Sequence, residues 1–236
     1  MAVAPVTNAD FARFVAATGH VTQAERAGAS AVFVATSGPV DLNDPSVWWH
    51  AVAGASWRAP EGPGSTIDDR PDHPVVHVAQ ADAAAFAAWA GACLPSEAEW
   101  EAAARGGLID ADYSWGDDLL PDGQMMANFW TGSFPWFHGR MPRPGTTPVG
   151  SYPPNGHGLI DMIGNVWEWT TSPAIVADAA PRCCAPGDKA DHLVILKGGS
   201  FLCAAEYCQR YRPAARIAVS AIMTSAHIGF RLARDF

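Results

Sequence analysis

Two cysteines five positions apart, Cys203 and Cys208, constrain the fold of this chain more than any other feature. They lie in the run Lys197-Gly-Gly-Ser-Phe-Leu-Cys203-Ala-Ala-Glu-Tyr-Cys208-Gln-Arg-Tyr-Arg212. In a straight strand an odd separation sends two side chains to opposite faces. In a helix five steps put them well apart around the axis. The thiols therefore meet only if the chain bends between them, and Gly198 and Gly199 permit a sharp approach into that bend. Spacing alone leaves four fates open. A disulfide is disfavoured, because no signal peptide is evident and disulfides are rare in reducing compartments. Zinc needs four ligands at recognisable spacing, such as paired Cys-x-x-Cys, and that pattern is absent. Two thiolates with few other ligands suit Cu(I). Buried cysteines also serve as small hydrophobes.

Bulk properties narrow the class. With 236 residues and 49% hydrophobic content, the chain suits one domain with a real core. No apolar run approaches the length of a membrane span. A formal charge of −9 is the wrong sign for a nucleic-acid footprint. Five cysteines form no secreted disulfide framework, and a cytoplasmic protein is expected. Twenty-two Gly and 19 Pro imply many loops.

Local signals give a few elements. Asn8 is expected to cap a helix with Phe11, Phe14 and Val15 on one face, stopped at Gly19. Residues 23–74 read as loop-rich, with Trp48, Trp49 and Trp57 arguing for order. Val75-Val76-His77-Val78 reads as a short strand and Ala81–Gly91 as a helix carrying Phe86 and Trp89. Ser96 and Glu99 form a capping box for a helix that ends at Gly106-Gly107. Glu97 and Glu101, one turn apart there, are read as structural carboxylates rather than a general acid and base. The adjacent Cys183 and Cys184 are read as packing residues, since neighbouring Cα atoms stand only about 3.8 Å apart. Leu193–Leu196 reads as a buried strand leading into the cysteine segment.

The cysteine segment resembles the active-site run of the formylglycine-generating enzymes, or sulfatase-modifying factors. The matching residues are Gly198-Gly199-Ser200, Cys203, Tyr207-Cys208 and Arg210-Tyr211-Arg212. The early Phe-containing helix, Arg70-Pro-Asp-His-Pro-Val75, the run Trp89-Ala-Gly through Arg105-Gly-Gly107 and the closing His227-Ile-Gly-Phe-Arg-Leu-Ala233 are also similar to that family. The resemblance implies an irregular, loop-rich α+β fold with little regular secondary structure, related to C-type-lectin-like folds. It implies a single domain over residues 1–236 that lacks the family's usual N-terminal strands.

The resemblance also implies a chemistry. Cys203 and Cys208 would hold Cu(I), and a peptidyl cysteine in a sulfatase-type Cys-x-Pro-x-Arg motif would join them as a third thiolate. O2 would be activated, a hydrogen would leave the substrate Cβ, and the thioaldehyde would hydrolyse to formylglycine. An external thiol would serve as reductant, and an unfolded sulfatase-type protein as natural substrate. Ser200, Tyr207 and one of Trp167 and Trp169 would line the oxygen pocket. A structural calcium ion would use Asp161, Glu168 and the carbonyls of Gly164 and Val166. A first calcium site would use Asn128 and the carbonyl of Phe129. The stretch where the family supplies its acid reads His138-Gly-Arg-Met-Pro-Arg-Pro144 here, and two arginines beside Ca2+ would repel it. The apolar run Ile217–Met223 replaces polar family residues and implies an altered peptide preference. Two rival readings are a binding domain of the same fold without the chemistry and an iron-dependent sulfoxide synthase. The cysteine pair argues against the first, and the lack of paired histidine spacing against the second.

Overall fold

A four-stranded sheet leads into the cysteine segment, and two helices pack on it. The computed structural model describes residues 1–141, 143–174 and 193–234. Cys183 and Cys184 lie outside the described residues. The strands β3 (Trp167–Pro173), β4 (Leu193–Lys197), β5 (Arg216–Ser220) and β6 (Ile228–Gly229) are ordered β5-β4-β3-β6. β4 runs antiparallel to both neighbours, with Leu196 opposite Trp169 and Ile217, whereas β3 and β6 are parallel, with Trp167 opposite Ile228. β4 is the buried strand expected from its apolar run.

Helices and a hairpin surround this sheet. In helix α1 (Asn8–Thr18) the cap is Thr7, not Asn8. Thr7 Oγ1 accepts the Asp10 N–H at 3.2 Å and the Asp10 carboxylate takes the Thr7 N–H at 3.3 Å, a reciprocal pair that Asn8 cannot form. Asn8 is buried instead, its amide donating to the Arg70 carbonyl at 2.9 Å. Phe11, Phe14 and Val15 enter the core and Gly19 ends the helix at φ 67°, as expected. The stretch 23–74 is more regular than its composition implied. It holds α2 (Gln23–Ala27) and an antiparallel pair, β1 (Ala29–Phe33) and β2 (Trp49–Ala53). The Thr22–Glu25 capping box and the left-handed Gly28 are the local signals for α2.

Val75–Val78 is not a strand. His77 takes φ 60°, which breaks the pleat, and the N–H groups of Val75 and His77 go to scattered partners, the carbonyls of Val6 and Ser225. Helices α3 (Gln80–Trp89) and α4 (Glu97–Arg105) match expectation, including the Ser96–Glu99 box and the left-handed Gly106. Beyond β6 the closing strand is taken up by the chain start, since Ala2 and Val6 donate to the carbonyls of Leu232 and Phe230 at 2.7 and 2.9 Å. The segment after Arg212, expected to be atypical, supplies the edge strand β5. No helix among the described residues is long and apolar enough to cross a membrane.

Two charged clusters are locked inside this frame. Lys197, fully buried, lies 2.9 Å from Glu101 and 3.6 Å from Glu97. Burial pushes the Glu101 carboxyl up, and hydrogen bonds from Arg105 and Lys197 outweigh it and leave it below the usual range. The Glu97/Glu101 pair is thus structural, as read from its spacing. Arg231 and Glu168, both buried, form a two-pronged pair at 2.7 and 2.8 Å, and the Trp100 indole donates to the same carboxylate at 2.6 Å. Arg231 also donates to the carbonyls of Ile160 and Asp161 at 3.1 and 3.0 Å, tying β3, α4 and the 160–168 turn together.

Candidate active site

The bend that the cysteine spacing demands begins at the end of β4. Gly198 and Gly199 take φ 98° and 73°. A Cβ on Gly199 would stand 2.6 Å from the Arg210 carbonyl oxygen, so only glycine lets the chain at 199 lie on the backbone at 210. Between these points the segment turns twice. The Cys203 N–H closes onto the Ser200 carbonyl at 2.9 Å. The N–H groups of Tyr207, Cys208 and Gln209 then converge on the Ala204 carbonyl at 3.3, 3.1 and 2.8 Å, and Gln209 exits at φ 43°. These two turns bring both free thiols to the wall of one pocket.

The pair is electrostatically unequal. Burial pushes the Cys203 thiol well up, and the neighbouring Cys208 adds to the shift. The neighbouring Cys203 thiol brings Cys208 down to about 7, against its partial burial, with help from backbone N–H groups and the Arg210 charge. Cys203, the more deeply buried of the two, is therefore the harder thiol to ionise. In metal-free protein, iodoacetamide should alkylate Cys208 at a rate that rises as pH increases through about 7 and then levels, because the thiolate is the nucleophile. Cys203 should stay unmodified until the protein is denatured. Peptide mass spectrometry across pH 5–9 (a window of roughly two units either side of neutrality) reads this directly; equal rates at the two thiols would contradict it.

A pocket of about 130 Å³ opens beside the thiols. Of the residues named from sequence, Ser200, Tyr207 and Trp167 line it together with Cys203 and Cys208. Trp169 does not: it is fully buried in the core, its indole donating to the Val78 carbonyl at 2.8 Å. Tyr207 stacks on Phe134 at 4.8 Å and meets Trp48 edge-on at 5.6 Å, so aromatic rings form one wall. Ser200 Oγ accepts the Leu202 N–H at 3.3 Å, which leaves its own hydroxyl proton free to donate. Sequence reasoning missed Trp48, Trp49, Phe134 and His227 as pocket residues. The tryptophan pair and the closing His-Ile-Gly were visible, but only the β3–β6 pairing and the β1–β2 hairpin place them here. Ile217 also lines the pocket, so the apolar run borders it at its first residue.

The two calcium constellations differ. Asn128 donates its amide nitrogen to the Gly145 carbonyl at 2.9 Å and to Asn165 Oδ1 at 3.2 Å. Phe129 stacks on Tyr211 in the core at 4.5 Å. The Asn128 amide nitrogen is thus taken up by the neighbouring loop, and with no Asp or Glu in the 138–144 stretch the Asn128 oxygen and the Phe129 carbonyl make a thin ligand set for calcium. Around Asp161 the donors are hard oxygens of the kind calcium takes. Burial pushes its carboxyl up despite the Gly150 N–H and the Arg231 charge, so the ionised form is short of partners. Gly164, at φ 77°, packs against the Asn128 carbonyl where a Cβ would stand 2.4 Å away. Neither the Gly164 nor the Val166 carbonyl accepts a backbone hydrogen bond among the described residues. Glu168 retains one lone pair at Oε1 beyond those taken by Arg231 and Trp100. Among the described residues, no three His, Cys, Asp or Glu side chains converge on one point.

Comparison with known proteins adds a family. Residues 1–236 match the Sulfatase-modifying factor enzyme 1-like domain. The chain is 52% identical over 256 aligned positions to the formylglycine-generating enzyme of Mycobacterium tuberculosis, covering 98% of this chain and 85% of the relative. It is 51% identical over 247 positions to the enzyme of that name from Thermomonospora curvata, covering 98% and 80%. In fold it is similar to PvdO from Pseudomonas aeruginosa, with a TM-score of 0.64, 24% identity, and coverage of 99% of this chain and 78% of that one.

Proposed function

This chain belongs to the family of sulfatase-modifying factor enzyme 1-like domains, and from that premise we propose that it converts a peptidyl cysteine to formylglycine in sulfatase-type substrates. The observation that carries the reading is the pair of free thiols in one pocket wall. Cys203 and Cys208 would hold Cu(I), for which two soft thiolates are suited, and the metal when bound would supply the one-electron and O2 chemistry. The net reaction takes the substrate CH2–SH, O2, and two electrons with two protons from an external thiol. It yields the aldehyde, hydrogen sulfide and one water.

The chain's own groups have separate tasks. Cys208 gives up its proton near neutrality, whereas Cys203 Sγ holds its proton until a metal competes for it. Tyr207 keeps its phenolic proton, because burial and the nearby Cys208 raise it, and so offers a donor at the pocket. Ser200 offers a second. The rings of Trp48, Phe134 and Trp167 exclude water from the reacting carbon. Metal selectivity tests the reading against an iron-dependent sulfoxide synthase. After loading under reducing conditions and desalting, one equivalent of Cu(I) should remain and Fe(II) should wash off. Retention of iron in preference to copper would overturn it.

Asp161, Glu168 Oε1 and the carbonyls of Gly164 and Val166 would hold a structural Ca2+, a set of hard oxygen ligands. A ligand that binds only the native state raises stability by mass action. Chelation should therefore lower Tm, and Asp161→Ala should remove that response. Asp161 is the better position for this test, since loss of Glu168 would also unpair Arg231. A Tm unchanged by chelator, in a sample first saturated with calcium, would contradict the site.

A further inference from the structure

The pocket wall holds two polar side chains to which the chemistry above gives no task, Arg210 and His227. His227 reaches it from the residue before β6, where its carbonyl accepts the Trp167 N–H at 2.8 Å. Its ring lies against Trp49, with centroids 4.6 Å apart at 46°. Nδ1 stands 3.5 Å from the hydroxyl of the fully buried Ser225. Nε2 makes no hydrogen bond with any described residue. Burial, with His77 adding in the same direction, pushes the imidazole down to about 3, which favours its neutral form.

We propose that His227 is a substrate-binding residue whose Nε2 hydrogen-bonds the main chain of the peptide that carries the reacting cysteine. The inference rests on reading this pocket as the peptide-cysteine site. A peptide entering the pocket loses water from its amide groups, and each must find a partner or cost free energy. The wall offers few. Much of it is aromatic or aliphatic, and among the described residues no carboxylate lines it and Arg210 is its one cation. Ser200 and Tyr207 lie beside the thiols and are occupied with the reacting group. A neutral imidazole can donate or accept without the cost of desolvating a charge. Its tilted contact with Trp49 restricts the ring, so little freedom is lost on binding. Because the contact is made to a part of the peptide that does not react, it holds ground state and transition state alike and sets KM rather than kcat.

The test compares wild type, His227→Phe and His227→Gln, each with its melting curve. Phe keeps a ring against Trp49 and removes the hydrogen bond; Gln places an amide near the position of Nε2. Binding is read first, by fluorescence anisotropy of a labelled Ser-x-Pro-x-Arg peptide, which cannot be oxidised, on metal-free protein. His227→Phe should weaken binding about tenfold, the loss expected for one buried hydrogen bond. His227→Gln should stay within about threefold of wild type, by partial rescue of the same bond. With the cysteine peptide and copper, His227→Phe should raise KM by a similar factor at unchanged kcat. If Phe prevents folding, His227→Leu takes its place. Equal affinity for wild type and the variant lacking the hydrogen bond overturns the role of His227 and leaves the proposed activity standing. Absence of aldehyde formation by copper-loaded wild type refutes the activity itself, and the role of His227 with it.

Discussion

Cys203→Ser and Cys208→Ser should each abolish aldehyde formation and reduce bound Cu(I) from one equivalent to none. Both losses follow from one geometric fact. The thiols are neighbours only because two turns and the Gly199–Arg210 contact close the loop around them, and no third His, Cys, Asp or Glu among the described residues stands by to replace either. Serine nearly preserves shape but offers a hard oxygen that stays protonated, a poor ligand for a soft ion. The fold should survive in both variants. Cys208 is only partly buried, and Cys203 Sγ accepts the Ser200 N–H at 3.4 Å, a bond that an oxygen can also accept. A Tm within a few degrees of wild type therefore accompanies the loss of metal and activity. Turnover that persists in either variant, with copper bound, would sink the two-thiolate assignment.

Glu168→Ala should be the most destabilising single substitution outside the apolar core. It strips Arg231, which has no exposure to solvent, of its only carboxylate partner among the described residues and takes the acceptor from the Trp100 indole. Removal of one member of a buried ion pair costs about 3–5 kcal/mol, because the remaining charge is left uncompensated. For a chain of this size each kcal/mol corresponds to roughly 2–4 °C, so Tm should fall on the order of 10 °C. The carbonyls of Ile160 and Asp161 still accept from Arg231, which keeps the loss from being larger. Glu168→Gln, which keeps the shape and two acceptor directions, should lose less. Thermal melts in saturating calcium and in chelator separate this effect from the metal's. A fall of only a degree or two for Glu168→Ala would mean that the pair contributes little.

Legibility in the sequence followed the range of the interaction. The stop at Gly19, the Ser96–Glu99 box and the bend after Lys197 are local, fixed by residues within a few positions, and were readable. The cap of α1 was also local. Thr7 followed three residues later by Asp10 is itself a capping signal, and it outcompetes Asn8 because only Thr7 gains the reciprocal bond. Val75–Val78 misled because an apolar run reports burial without reporting hydrogen-bond partners, and all four residues are indeed buried. Trp167 and Trp169 have the same alternation in β3, so sequence could not say which lines the pocket; the Trp169 indole instead donates to the Val78 carbonyl within the core. His227 lies well beyond Cys208 in the chain and enters the pocket only through the parallel β3–β6 pairing, a contact with no signature along the sequence.

Mass spectrometry of a single peptide gives the sharpest test of cysteine oxidation by this pocket. Protein shown to carry one equivalent of Cu(I) is incubated with a Cys-x-Pro-x-Arg peptide, O2 and a thiol reductant, and the products are trapped with an aminooxy reagent. The peptide should lose the elements of hydrogen sulfide and gain one oxygen as an aldehyde at the cysteine position. The change should require both copper and O2 and be absent for the serine peptide. A folded, copper-loaded protein that leaves the cysteine peptide unchanged in the presence of O2 and thiol would contradict the assignment.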